Sequence, residues 1–96
     1  MQINITSRRH QLSEHLKDYV NEKVGKLEKY VHGTAEAHVV LERTDLNQIV
    51  EINFHGLNKT MHAREEDENV RACIDKAVDK IEAQVKKQKE KLVEKR

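Results

Sequence analysis

A chain of 96 residues, 36% hydrophobic, 36% charged and only 3% aromatic, has material for one domain with a thin core, one layer of helices on one sheet. It holds no apolar run long enough to span a membrane, and its single cysteine, Cys73, excludes an internal disulfide or a cysteine-built metal cage. The net charge of +1 hides an asymmetry: residues 1–33 carry six Lys/Arg against four Asp/Glu, residues 34–68 three against eight, and residues 80–96 seven against three. The overall charge does not point to a nucleic-acid binder, but this distribution leaves that reading open.

Met1 to Ser7 sets Ile3 and Ile5 on one side and Gln2, Asn4 and Thr6 on the other, which predicts a short half-buried strand. No signal-peptide apolar segment opens the chain, so a cytoplasmic location is expected. Residues 8–11 read as a polar connection. Ser13 has N-cap chemistry, and Leu16, Tyr19, Val20, Val24, Leu27, Tyr30 and Val31 follow at helical spacing. One helix is therefore expected from about Ser13 to Val31, ending near Gly33 in a left-handed conformation. Gly25 falls on its exposed face, and the sequence offers no reason for it. Lys23, Lys26 and Lys29 share one edge of this helix and Lys17 lies on the other; the Lys23 stem is expected to pack while its ammonium reaches outward.

Three strands follow. Ala37, Val39 and Leu41, then Val50, Ile52 and Phe54, then Met61 and Ala63 alternate with mostly polar residues. Turns fall at Thr44-Asp45-Leu46-Asn47 and Gly56-Leu57-Asn58, so an antiparallel meander with one buried and one polar face is expected. The acidic run Glu65-Glu66-Asp67-Glu68 is expected to complement the N-terminus of a last helix that fills residues 69–96. In that helix Val70, Ile74, Ala77, Ile81, Val85 and Leu92 form the apolar face. Lys76, Lys80, Lys87 and Lys91 line one flank, and Asp75, Asp79 and Glu82 the other.

The order is thus β-α-β-β-β-α, an α+β domain over residues 1–96 with a four-stranded sheet and both helices on one face. A right-handed first crossover makes strands 1 and 2 parallel. The two lysine-bearing helices are then expected side by side, exposed on the side away from the sheet. His38, Asn53 and His62 could form a row on the polar sheet face, but without metal-ligand spacing. Tyr19, Tyr30 and Phe54 read as core residues and Cys73 as a buried inert thiol. The acidic run has no nucleophile or second partner, and no P-loop or dinucleotide fingerprint occurs. A non-enzymatic protein without cofactor or metal is the reading.

Three segments carry a resemblance: the opening Met1-Gln2-Ile3-Asn4-Ile5-Thr6-Ser7, the block Val24-Gly25-Lys26-Leu27-Glu28-Lys29-Tyr30, and Ala72-Cys73-Ile74-Asp75 through Asp79-Lys80-Ile81-Glu82. In order and spacing they resemble the ribosome hibernation factors, also called ribosome-associated inhibitors or the sigma-54 modulation protein family. The resemblance implies a double-stranded-RNA-binding-domain-like fold with an added N-terminal strand. It implies docking on 16S rRNA of the small ribosomal subunit, over the mRNA channel and tRNA sites, as a stationary-phase response that stops translation. The chain looks like the short form of that family and is expected to be monomeric. In similar proteins a small partner, ribosome modulation factor, helps pair two ribosomes.

Position by position, the family's basic residues fall on Lys17, Lys23, Lys26 and Lys29 in the first helix and on Lys80, Lys87 and Lys91 in the second. The helical wheel adds Lys76. One departure stands out: similar proteins enter the last helix with Asp-hydrophobic-Tyr, whereas this chain has Asn69-Val70-Arg71. Lysines of this kind would contact phosphate with counterion release rather than read bases. The alternatives are a free double-stranded-RNA-binding module on the same helices and a protein-interaction or transcription modulator. A steep dependence on ionic strength separates phosphate contact from the latter.

Overall fold

Alternation decides the strands, and the sheet follows it closely. The computed structural model describes residues 1–9 and 11–94. It contains β1 (Gln2–Arg8), α1 (Glu14–Gly25), a 3-10 segment (Lys26–Tyr30), β2 (Glu36–Arg43), β3 (Gln48–Gly56), β4 (Lys59–Asp67) and α2 (Val70–Glu94). The strands lie in the order β1-β2-β3-β4, with β1 parallel to β2 and the other neighbours antiparallel. The expected α+β topology is therefore the one the chain adopts. Of the expected connection at residues 8–11, Arg8 closes β1, and His10 lies outside the described residues.

One sheet face is apolar because each strand sends its alternate residues there. Ala37, Val39, Leu41, Val50, Ile52, Phe54, Met61 and Ala63 are buried against Leu16, Val20, Val24 and Leu27 from the first helical stretch and Cys73, Ile74, Ala77, Ile81 and Val85 from α2. Phe54, the chain's sole phenylalanine, is 0% exposed. Its ring fills the space that a side chain at Gly56 would need: a Cβ there would stand 2.9 Å from Phe54 Cε1 and 3.2 Å from Val31 Cγ1. The opposite face is polar, and the register His38–Asn53–His62 makes the expected row. Its histidines answer to different partners: His38 Nε2 to Thr6 Oγ1 at 2.9 Å, His62 Nε2 to Glu51 Oε2 at 3.4 Å.

Both helices cover the apolar face, and Ser13 caps α1 by accepting the Leu16 N–H at 3.1 Å. Two expectations need correction. The single helix over residues 13–31 is an α-helix only to Gly25, after which the chain tightens into the 3-10 segment. Within that segment Leu27 and Tyr30 stand one turn apart at three residues per turn, so both pack against the core. Gly33 does take the expected positive φ, at 91°. The acidic run, in turn, is not at a helix start. Glu65, Glu66 and Asp67 belong to β4, and the first turn of α2 has no acidic residue. The cap is Asn69, whose Oδ1 accepts the N–H groups of Arg71 (2.9 Å) and Ala72 (3.1 Å).

Gly25 has φ −58° and ψ −25°, ordinary helical values, and nothing stands within 4 Å of a Cβ placed there. Gly25→Ala is therefore expected to stabilise the fold by up to about 1 kcal/mol, raising the thermal midpoint by several degrees in a CD melt. The Cys73 thiol is buried, donates to the Glu65 carbonyl at 3.1 Å, and is pushed to a raised pKa by that burial, as suits an unreactive core thiol. No described helix is long and apolar enough to cross a membrane.

Candidate nucleic-acid interface

A helix packed on a sheet has two flanks, and only one of them can face the neighbouring helix. For α2 that flank is the acidic one. Tyr19 Oη donates to Asp75 Oδ1 at 2.7 Å, and Tyr30 Oη donates to Glu82 Oε2 at 2.8 Å. The contacts occur in the same order along both helices, so the two run in the same direction. Neither tyrosine is a plain core residue, as the sequence reading had them: each is half-buried and spends its hydroxyl on joining the helices.

The hydrogen bond to the Asp75 carboxylate, with burial, pushes the Tyr19 phenol from 10.0 up to about 12. Because the folded state holds the protonated phenol, this bond's contribution is fully present below pH 10.0 and is lost as pH rises through about 12. In an alkaline titration followed by tyrosinate absorbance, one tyrosine is expected to ionise near pH 12. Asp75→Asn should return it toward the ordinary value.

The cleft between the helices, about 460 Å³, is lined by Lys23, Lys26 and Lys29 on one wall and Asp75, Val78, Asp79 and Glu82 on the other. Lys23, half-buried as expected, approaches Asp75 at 4.0 Å. Lys26 and Lys29 have no ion-pair partner among the described residues, though the Lys29 ammonium lies 5.1 Å from the Tyr30 ring centroid. Arg71 sits 5.2 Å over the Tyr19 ring. The guanidinium thus stacks on an aromatic of α1 at the position where the resemblance leads one to expect a tyrosine.

The two helices do lie side by side, but their lysine rows do not adjoin. Lys76, Lys80, Lys87 and Lys91 stand on the flank of α2 that faces β4, so the ridge of α2 separates them from Lys23, Lys26 and Lys29. Lys76 bonds Asp67 Oδ2 at 2.7 Å and Lys80 pairs with Glu65, which places two of the four against β4. Gln84 on the same flank donates to the His62 carbonyl at 3.0 Å. Lys87 and Lys91 are exposed, with no ion-pair partner among the described residues. Lys17 is exposed on the flank of α1 opposite Tyr19 and Lys23, apart from both groups.

What the structure does bring together is the far end of the helical layer. Lys86 and Lys89, absent from the sequence-derived set, line a hollow of about 490 Å³ with Tyr30, Glu90 and Val93. The Lys86 ammonium lies 5.8 Å from the Tyr30 ring centroid, with Glu82 at 3.9 Å. With Lys87 and Lys91 on the other flank, positions 86–91 carry lysines around much of the helix, and Lys29 joins Lys86 at the Tyr30 ring. The local excess of positive charge is a surface suited to phosphates, with Tyr30 at its centre. Lys86 could have been found from its position four residues after Glu82, the residue that Tyr30 requires as acceptor.

Comparison with known proteins agrees with this architecture. The model of the sigma 54 modulation protein / S30EA ribosomal protein family matches residues 3–93. The ribosome hibernation promoting factor of Klebsiella oxytoca is 33% identical over 92 residues, 96% of this chain and 97% of that protein. That of Azotobacter vinelandii is also 33% identical, over 98% of this chain and 88% of its own. The N-terminal domain of Thermus thermophilus Protein Y superposes with a TM-score of 0.84 at 33% identity, covering 91% of this chain and 98% of that one. A ribosomal subunit interface protein from Coxiella burnetii shares the fold at a TM-score of 0.80 and 22% identity, covering 93% of this chain and 98% of its own. With a family match running from β1 to the end of α2, and relatives similar along nearly their whole length, the chain belongs to the sigma 54 modulation protein / S30EA ribosomal protein family.

Proposed function

We propose that this protein is a ribosome hibernation factor that binds 16S rRNA of the small ribosomal subunit, covers the mRNA channel and tRNA sites, and so stops translation by occlusion. The observation that carries the reading is the Tyr30 end of the two-helix layer, where Lys29 and Lys86 flank the ring and Lys89 lines the same hollow, with Lys26 in the adjoining cleft and Lys87 and Lys91 on the other flank of α2, both without a carboxylate partner among the described residues. Phosphates of folded rRNA would take those ammonium groups, and the apolar and tyrosine-joined helices would hold them in place. The names of the relatives agree with it. Lys23 contributes from within the cleft, Lys76 and Lys80 only when released from their carboxylates, and Lys17 at the periphery. The role asks for no catalysis and no cofactor, and it places a monomeric protein in the cytoplasm. Pairing of two inactive ribosomes with help from ribosome modulation factor is a further step within the same reading.

Occlusion has a direct test in competition. Small subunits already loaded with mRNA and initiator tRNA are expected to bind the protein about tenfold or more weakly than empty ones, because a site that is covered is also blocked. Equal affinity for loaded and empty subunits would remove the occlusion mechanism. Equally tight binding to a generic RNA duplex would favour a free double-stranded-RNA binder instead.

A further inference from the structure

The lysine flank of α2 is divided. Its C-terminal half, Lys87 and Lys91, projects without an ion-pair partner among the described residues, whereas its N-terminal half is matched lysine for carboxylate by β4. Lys76 meets Asp67 at 2.7 Å and Lys80 meets Glu65. The two carboxylates are the fixed members of these pairs. The Glu65 and Asp67 side chains are 16% and 26% exposed, against 59% for Lys80 and 53% for Lys76. Both acids project from a strand in the sheet, and Asp67 is further held because its Oδ1 accepts the Asn69 N–H at 2.9 Å. The lysines are long, flexible and mostly solvated. An arriving phosphate therefore meets a bound competitor at each of these two ammonium groups.

We propose that Glu65 and Asp67 are built-in competitors of the nucleic-acid backbone, which hold Lys80 and Lys76 in the free protein and lower its affinity for its polyanion. This inference deepens the function proposed above and rests on it for the identity of the polyanion. Asp67 is held below the ordinary carboxylate range chiefly by its hydrogen bond to Lys76, and that bond holds Lys76 above the ordinary lysine value. Both shifts have the sense expected of a contact that a phosphate must displace. Binding that breaks two internal pairs is weaker, and release restores them, so dissociation is favoured by contacts the protein already owns.

The test replaces the two acids by their isosteric amides, Glu65→Gln with Asp67→Asn, which keep an oxygen acceptor for the Asn69 N–H. Affinity for purified small subunits is expected to rise about three- to tenfold, with the slope of log K against log salt steeper by about 1 to 2. A control, Glu36→Gln with Glu66→Gln, removes the same charge from the polar sheet face away from α2. An equal rise in that control would assign the effect to net charge and overturn the proposal, as would no rise in the first variant. Adding Lys76→Gln and Lys80→Gln is expected to erase the gain in the amide variant, while costing the otherwise unaltered chain less than about threefold. A generic RNA duplex serves as a second probe: the same pattern is expected on it. A chain that ignored small subunits but showed the pattern on the duplex would refute the proposed partner and leave the competition standing.

Discussion

Phe54→Ala is expected to lower stability by about 3–5 kcal/mol, the largest effect of any single core truncation in this domain. No other aromatic among the described residues is fully buried, so no other residue supplies as much apolar volume at one point. The ring lies between Ala37 and Met61 in the strand register, beneath Val31, and against the bare Cα of Gly56. A cavity there cannot be filled by a shift of the sheet, which is fixed by ladders on both sides of β3. For a domain of this size, with about 5–14 kcal/mol of stability in hand, the loss would leave the chain near the edge of folding. The thermal midpoint should fall by about 15–30 °C. A fall of only a few degrees would mean that the β3–β4 end of the sheet is not closed by this ring.

The second large effect concerns charge rather than packing. Lys26, Lys29, Lys87 and Lys91, all replaced by glutamate, should weaken binding to small subunits by about a hundredfold or more and flatten the salt slope by about 4. None of the four has an ion-pair partner among the described residues, so far-UV CD should stay close to that of the unaltered chain, while glutamates at 26 and 29, facing Asp79 and Glu82 across the cleft, should lower the thermal midpoint without unfolding the domain. The set samples the β4-facing flank of α2 and the 3-10 segment. If the surface were instead a row along one flank, reversing Lys87 and Lys91 alone would have nearly the whole effect. An equal share from Lys26 and Lys29 is the expected division.

Most of the fold was legible in the sequence because strand alternation allows one solution. Ile3 and Ile5, Val39 and Leu41, Ile52 and Phe54 can all be buried on one face only if the helices cover that face. The turns at residues 44–47 and 56–58 and the cap at Ser13 were equally readable from local chemistry. The arrangement of the lysines was not, since a helical wheel says which residues are off the core but not which flank meets a neighbour. The missing signal lay in the tyrosines. Tyr19 and Tyr30 share one edge of the first helical stretch, and each half-buried hydroxyl needs an acceptor. On α2 only the acidic flank supplies them, which turns the Lys76–Lys91 flank toward β4. The same choice explains why Glu65 and Asp67, first taken as complement to a helix dipole, instead pair with Lys80 and Lys76. The 3-10 segment escaped because Val24, Leu27 and Tyr30 satisfy three-residue spacing as well as an α-helical pattern does over so short a span.

Co-sedimentation of the unaltered protein with purified small subunits across a series of salt concentrations tests the central claim most directly. The account predicts saturation at one molecule per subunit, with affinity falling steeply and linearly as log K against log salt, because several lysine–phosphate contacts form together. Failure to pellet with the subunits at low salt, or binding indifferent to salt, would contradict it.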